Sequence, residues 1–522
     1  MRPGLLSTPE YMPIPAGKVR NGLIALLAGA VVPLGFAPFG WYPLPVMALA
    51  VLAVLLRSAG PRDGFLLGWL FGVGQFGVGV SWVYVSIYLY GNAGLLLSLA
   101  VMLLFVLFLA LFPALMAWLT AGFRSGSGAG FYLAAFPALW VLSEWVRSWL
   151  FTGFPWLNLG YSQIDSSLSG YAALVGVYGV GWFAALSAGL LGWWFSGGRN
   201  ARFVAPGGLL LLWGGGFAVG HYHWTEATGD RLVATLVQGN IAQELKWKPE
   251  QQQATLDRYT ELSREHFDSD IIVWPETAIP AFYDQVEADF IVPLRQELAQ
   301  HGVSLVTGVP VLDRSRWDYY NSVISLDRPG RFYYKVHLVP FGEYLPLRDW
   351  LAGVLGFLPV PRADFTAGTL QQPLLEAAGY PVGTSICYEI AFGEQLINAL
   401  PAAAFLINVS NDAWFGDSLA PHQHLEMARM RARETERYVL RATNTGISAI
   451  IDADGALVVR SRQFKTQAIT GEIQPRTGAT PYVRWGNWPV VLVCLGMLLL
   501  AWRHTARAEK QAFTNTPSTG ID

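Results

Sequence analysis

The chain has 522 residues, and 35 Lys and Arg against 37 Asp and Glu give a formal net charge of −2, which excludes a broadly basic nucleic-acid surface. Hydrophobic residues make up 53% and charged residues only 14%, a balance that excludes intrinsic disorder and argues against an all-soluble chain. With two Cys at most one disulfide can form, so a disulfide scaffold is excluded too.

Charge is unevenly distributed. Residues 1–228 and 486–502 are almost free of it, and a stretch of ordinary soluble composition lies between them. The reading is a membrane domain over 1–228 with seven transmembrane helices, a soluble domain over 229–480, and a last helix with a tail over 481–522. A span needs about 20 mostly apolar residues. Spans are expected near 20–37, 42–57, 64–86, 94–120, 128–149, 169–196, 203–220 and 486–503, eight in all, and the 21 Trp suit aromatic belts at the two interfaces.

Basic residues orient the bundle. With the N-terminus in the cytoplasm, the cytoplasmic segments hold Arg2, Lys18, Arg20, Arg57, Arg62, Arg124, Arg199, Arg202, Arg503, Arg507 and Lys510. The short loops on the other side (38–41, 87–93 and 150–168) hold none. The soluble domain, after the seventh span, is then outside the cytoplasm and the C-terminus inside. A cleaved signal peptide over 18–38 is the competing reading, disfavoured because further spans follow and the charge asymmetry needs the first. Glu144 and Arg147, three apart near the outer end of the fifth span, share a helix face. Ionisable residues there are functional by default, and the competing reading is a self-neutralising packing pair. The uncharged loop Thr152-Gly153-Phe154-Pro155-Trp156-Leu157 reads as interfacial.

In the soluble domain, strand patterns at 232–238, 271–274, 304–311, 321–326, 331–339, 382–387, 404–409, 447–451 and 468–473 alternate with helical patterns at 250–267, 287–301, 393–400 and 421–440. Such alternation indicates a layered α/β domain. The charged run 429–437 reads as the solvated face of a helix. Segments 351–365 and 412–420 set Leu, Phe and Trp beside Gly and Pro, and read as apolar loops that meet the bilayer interface and move.

Three strand ends carry chemistry. Cys494 lies in the last span as a packing group, which leaves Cys387 the only thiol of a domain outside the cytoplasm, without a disulfide partner. It ends the apolar run Val382–Ile386 and precedes Tyr388-Glu389. A Cys nucleophile needs a base and a cation. Glu276 ends Ile271-Ile272-Val273-Trp274-Pro275, and Lys335 is a lone ammonium among aromatics. His422-x-His424 and His221-x-His223 have metal-like spacing but lack accompanying ligands, so no metal is expected.

At these segments the sequence resembles the carbon–nitrogen hydrolase (nitrilase) superfamily. The resemblance rests on Trp274-Pro275-Glu276-Thr277-Ala278, on Tyr334-Lys335-Val336-His337-Leu338-Val339-Pro340-Phe341-Gly342-Glu343-Tyr344, and on Ile386-Cys387-Tyr388-Glu389. It implies a four-layer α-β-β-α sandwich with a Glu-Lys-Cys triad. Within that superfamily the chain resembles the membrane-embedded apolipoprotein N-acyltransferases, at Thr152–Leu157, Gly160-Tyr161-Ser162-Gln163, Val237-Gln238-Gly239-Asn240-Ile241, Lys246-Trp247 and Asn408–Gly416.

The resemblance implies the last step of bacterial lipoprotein maturation. A phospholipid acyl chain would pass through a Cys387 thioester to the α-amino group of a diacylglyceryl-cysteine at the apolipoprotein N-terminus. It further implies Glu276, Lys335 and Cys387 as catalytic, Glu343 as their support, Tyr388 and Glu389 as pocket-shaping, and Trp247 as a substrate-side aromatic. A bacterial inner-membrane enzyme with a periplasmic catalytic domain is expected, a monomer with no cofactor, whose partners are phospholipid, lipoprotein and membrane lipids. A membrane-anchored amidase or nitrilase is the enzymatic alternative. A transporter with an accessory domain is the non-enzymatic one, and would call for more polar or discontinuous helices.

Overall fold

The computed structural model describes residues 16–91, 94–124, 128–345 and 364–514. Among the described residues, six helices are long and apolar enough to cross a membrane: Gly17–Gly35, Leu95–Ala121, Gly128–Arg147, Ser167–Ser196, Arg199–Val219 and Trp488–Arg507. The two other expected spans are less regular. The second is a 15-residue helix, Pro43–Arg57, short for a span because Pro43 opens it and Ser58–Gly60 separate it from Pro61, which opens the next. The third is a pair of helices, Pro61–Gly79 and Val83–Tyr90, bent by 59° where a glycine-rich stretch ends. In that helix Gly64, Gly68 and Gly72 recur every four residues against Ala110, Pro113, Ala117 and Ala121. A Cβ on Gly68 would run into the Pro113 carbonyl, so small residues let these two helices pack backbone to backbone.

The soluble domain contains β1 (Thr225–Ala227), β2 (Leu232–Gln238), β3 (Ile271–Val273), β4 (Ser304–Asp313), β5 (Asp318–Ser325), β6 (Phe332–Tyr334), β7 (Leu375–Ala377), β8 (Tyr380–Ile386), β9 (Phe405–Ser410), β10 (Val439–Thr443), β11 (Ala449–Ile451), β12 (Leu457–Arg460), β13 (Gln467–Ile473) and β14 (Arg476–Gly478). Two six-stranded sheets form, in the orders β13-β2-β3-β4-β5-β6 and β12-β11-β10-β9-β8-β7, while β1 pairs with β14. The centre of each sheet is parallel, β2-β3-β4 in one and β8-β9-β10 in the other. Parallel strands covered on both faces are predominantly apolar, as β3 is throughout and β9 is apart from Asn408 and Ser410. Leu236, Val273 and Val306 from one sheet meet Ile386, Ile407 and Leu440 from the other. Helices Pro249–Arg264 and Val292–His301 cover the first sheet, and Ala420–Thr435 covers the second, giving the expected α-β-β-α layers.

Two expectations are corrected here. The helical pattern at 421–440 stops at Thr435, where Glu436 adopts a left-handed conformation (φ 48°) and the chain turns into β10. The charged run 429–437 is not a solvated face, since Arg431, Glu434, Glu436 and Arg437 are buried. The helix is covered on its outer side by the membrane domain. Arg431 Nε pairs with Glu434 Oε2 at 2.9 Å, and Glu434 Oε1 accepts from Val177 N at 2.5 Å, beside the break that Gly176 (φ 65°) makes in the helix Ala172–Ser196.

Candidate active site

Glu276, Lys335 and Cys387 follow β3, β6 and β8, and the sandwich brings these strand ends to one buried place. Lys335 is only 1% exposed, and its Nζ donates to Glu343 Oε1 at 2.8 Å and lies 3.9 Å from Glu276 Oε1. Burial works against its charge, but the Glu343 and Glu276 carboxylates more than offset this and hold its pKa above the ordinary lysine value. The ammonium is therefore a permanent positive charge in the site. Glu343 is fixed in turn by Val339 N on Oε2 at 2.8 Å, so the second carboxylate is the direct partner of Lys335.

Cys387 begins a short 3₁₀ turn, Cys387–Ala391, at φ 52° and is 8% exposed. Burial pushes its thiol up to about 12, the Glu276 carboxylate adds to the rise, and the Lys335 ammonium opposes it. At neutral pH the thiol is the resting form. Of the carboxylates around it, Glu276 acts on this thiol most strongly.

The remaining expected residues divide by what they touch. Glu389 accepts from Val336 N at 2.6 Å, His337 N at 3.0 Å and Ile386 N at 2.7 Å, so its carboxylate staples the segment after Lys335 to the segment before Cys387. Tyr388 donates its hydroxyl to Gly153 O at 3.1 Å and stacks on Trp156, tying the nucleophile turn to the 152–157 loop of the membrane domain. That loop is held by Arg147, whose guanidinium donates to Phe154 O, Trp156 O and Asn158 Oδ1 at 2.6–2.7 Å. Glu144 accepts from Leu159 N at 2.8 Å, so this pair orders the loop next to the site. Trp247 is 52% exposed, directly after the short helix Gln243–Lys246.

Phe415 packs on Trp82 and Trp156, which anchors the 412–415 turn to the membrane domain, while Trp414 is exposed. The expected mobile apolar loop, with Phe357 and Leu358, lies outside the described residues.

Asn321 escaped the reading of the sequence, and Lys246 entered it only through the Lys246-Trp247 match, with no role. Asn321, on β5, donates to Glu276 Oε1 at 2.7 Å and to Glu343 Oε1 at 3.2 Å, fixing both carboxylates. Lys246 is buried with its Nζ on Glu276 O at 3.1 Å, and burial lowers its pKa to about 8 against the pull of Glu276 and Cys387. No local pattern gives either one a role; only the fold sets them beside Glu276.

Comparison with known proteins bears on the family of the chain. The family described as "Apolipoprotein N-acyltransferase N-terminal domain" matches residues 28–190, and "Carbon-nitrogen hydrolase" matches 233–482. The apolipoprotein N-acyltransferase of Methylococcus capsulatus is 49% identical over 489 residues, covering 93% of this chain and 96% of that one. That of Nitrosomonas europaea is 44% identical over 488 residues, covering 92% and 97%. Among solved structures, Saccharomyces cerevisiae Nit3, a member of branch 10 of the nitrilase superfamily, aligns with a TM-score of 0.37 at 20% identity, over 48% of this chain and 93% of that one. With both domains matched in order and identity sustained along almost the whole length, the chain belongs to the apolipoprotein N-acyltransferase family and is an acyltransferase built on a carbon–nitrogen hydrolase domain.

Proposed function

We propose that the enzyme moves an acyl chain from a phospholipid to the α-amino group of a diacylglyceryl-cysteine at an apolipoprotein N-terminus, in two half-reactions through Cys387. Glu276 takes the thiol proton as Sγ attacks the ester carbonyl. The tetrahedral oxyanion is met by the Lys335 ammonium and the backbone N–H of Tyr388, each such donor being worth roughly 3 kcal/mol. The C–O bond breaks, Glu276 returns the proton to the departing lysophospholipid oxygen, and the acyl group remains as a thioester on Sγ. The lipoprotein amine then attacks that carbonyl, Glu276 accepts its proton, and the C–S bond breaks to restore the thiol. Glu343 and Asn321 keep Lys335 and Glu276 in register throughout, and Trp247 lies on the substrate side.

The bundle has eight spans in this reading, counting Pro43–Arg57 and the bent pair. The division into 1–228, 229–480 and 481–522 puts the catalytic domain in the periplasm, both termini in the cytoplasm and the enzyme in the bacterial inner membrane as a monomer. The observation that carries the proposal is the buried apposition of Lys335 to both Glu276 and Glu343 beside the only thiol of the soluble domain. Intact-mass analysis after incubation with phospholipid tests it. One acyl group should add to the wild type and to Cys494→Ala, and none to Cys387→Ala. An acyl adduct on Cys387→Ala would overturn the thioester route.

A further inference from the structure

A buried polar network that the two half-reactions leave unused ends on the nucleophile's own backbone. His424 Nε2 lies 3.1 Å from Cys387 O, and Asn408 Nδ2 approaches the same oxygen at 3.4 Å. Arg441, fully buried on β10, reaches both of these side chains: Nη1 donates to Asn408 Oδ1 and Nη2 to His424 Nδ1 at 3.0 Å. Its Nη2 also donates to Asp412 Oδ2 at 2.9 Å, and Ser410 Oγ donates to Asp412 Oδ1 at 2.8 Å. Asp412 Oδ1 is itself 3.1 Å from His424 Nδ1.

Nδ1 lies between the Arg441 guanidinium and the Asp412 carboxylate, whereas Nε2 faces a carbonyl oxygen, which can only accept, so Nε2 carries the proton and donates to the Cys387 carbonyl. Burial and then Arg441 hold His424 below the ordinary histidine pKa, in keeping with a neutral ring. The carbonyl it holds belongs to a residue at φ 52°, a left-handed backbone that non-glycine residues keep only when their surroundings impose it. The Cys387 C=O and the Tyr388 N–H are opposite edges of one planar peptide. Whatever fixes the direction of that carbonyl therefore fixes the direction of the N–H, and a hydrogen bond on the oxygen polarises the N–H as well.

We propose that His424 is a positioning residue for acyl transfer: its Nε2–H holds the Cys387 carbonyl and, through the shared peptide plane, aims the Tyr388 N–H at the forming oxyanion, with Arg441 and Asp412 holding the ring from its Nδ1 side. The inference rests on Cys387 being the nucleophile. The interaction it describes is used in the transition state, so its loss lowers kcat and leaves KM unchanged.

The test uses the full-length enzyme in detergent, with a phosphatidylethanolamine as donor and a synthetic diacylglyceryl-cysteine peptide as acceptor. His424→Met fills the ring's space without a donor, while His424→Gln keeps an N–H that can reach a carbonyl. Single-turnover acylation of Cys387 is followed by intact mass, with steady-state kcat and KM and a thermal melt in parallel. The expected result is a loss of about 10- to 100-fold in acylation and kcat for His424→Met, less than deleting an oxyanion donor outright. KM stays unchanged, and His424→Gln recovers to within about threefold of wild type. Equal losses in the two variants, a rise in KM alone, or a loss that follows the unfolded fraction would each overturn the proposal. Failure of the nucleophile reading gives a different signature, an acyl adduct on Cys387→Ala, whatever the His424 variants do.

Discussion

Lys335 and Cys387 carry opposite electrostatic instructions in the same few ångströms. The ammonium is held charged by Glu343 and Glu276, whereas the thiol is held neutral by burial and by Glu276. A resting thiolate would be open to oxidation and alkylation; a thiol pushed up to about 12 is much less so. In a Cys494→Ala background, alkylation of Cys387 by iodoacetamide should be much slower at pH 7–8 than that of free cysteine, whose pKa is about 8.5. Its rate should climb roughly tenfold per pH unit from 7 to 10, because the thiolate fraction rises with pH until the pKa is reached. A plateau near neutrality would mean a preformed thiolate and would remove the need for Glu276 as base. Lys335→Met keeps the length of the side chain and removes its charge, which strands Glu276 and Glu343 beside each other. We expect kcat for acylation to fall by about two to three orders of magnitude, as for the loss of an oxyanion donor. A quench-flow measurement giving less than a tenfold loss would take Lys335 out of that role.

Among the elements, the helix Ala420–Thr435 does most to join the domains. One side covers β8–β10, and the other meets the membrane part through Glu426 on Ala37 N, Gln423 on Trp156 Nε1 and Glu434 on Val177 N. Its charged residues are buried because they partner backbone groups that the irregular membrane helices leave available. The Arg431–Glu434 pair lies at the break near Gly176, where removing one partner leaves the other charge buried and unpaired. Glu434→Ala is expected to destabilise the protein by about 3 kcal/mol, and the double change Arg431→Met with Glu434→Gln by less, since no uncompensated charge remains. Thermal melts of the purified variants in detergent decide this: a Glu434→Ala midpoint equal to wild type would return the pair to the ranks of ordinary surface contacts.

At the scale of the whole molecule, the candidate site draws on both parts of the chain. The membrane part supplies the 152–157 loop under Tyr388, and that loop is ordered by Arg147 and Glu144 from the helix Gly128–Arg147. This explains two ionisable residues near a span end without assigning them to transport. The charge asymmetry of the loops predicts the topology. An alkaline phosphatase fusion after residue 228 should be active outside the cytoplasm, and a fluorescent-protein fusion at the C-terminus should glow inside it. Both reporters on one side would remove either the seventh or the eighth span.

Much of this was legible along the chain, because some determinants are local. The scarcity of charge over 1–228, the alternation of strands and helices, and reactive groups just past apolar strands are set by neighbours in sequence, and they mark the membrane part, the α/β domain and Glu276, Lys335 and Cys387. Glu343, eight residues after Lys335, drew its supporting role from the family resemblance and not from the spacing itself. What tertiary structure decided is which side chains meet across the fold. Asn321 reaches Glu276 from another strand, Lys246 reaches its carbonyl from the short helix Gln243–Lys246, and Arg441 joins Asn408, Asp412 and His424. A polar residue on a helix or strand reads as solvated until something covers it, and Arg431 and Glu434 are buried only because a membrane helix lies over them. The bend in the third apolar segment is of the same kind: composition sets how far an apolar stretch extends, whereas packing against neighbouring helices sets whether it runs straight.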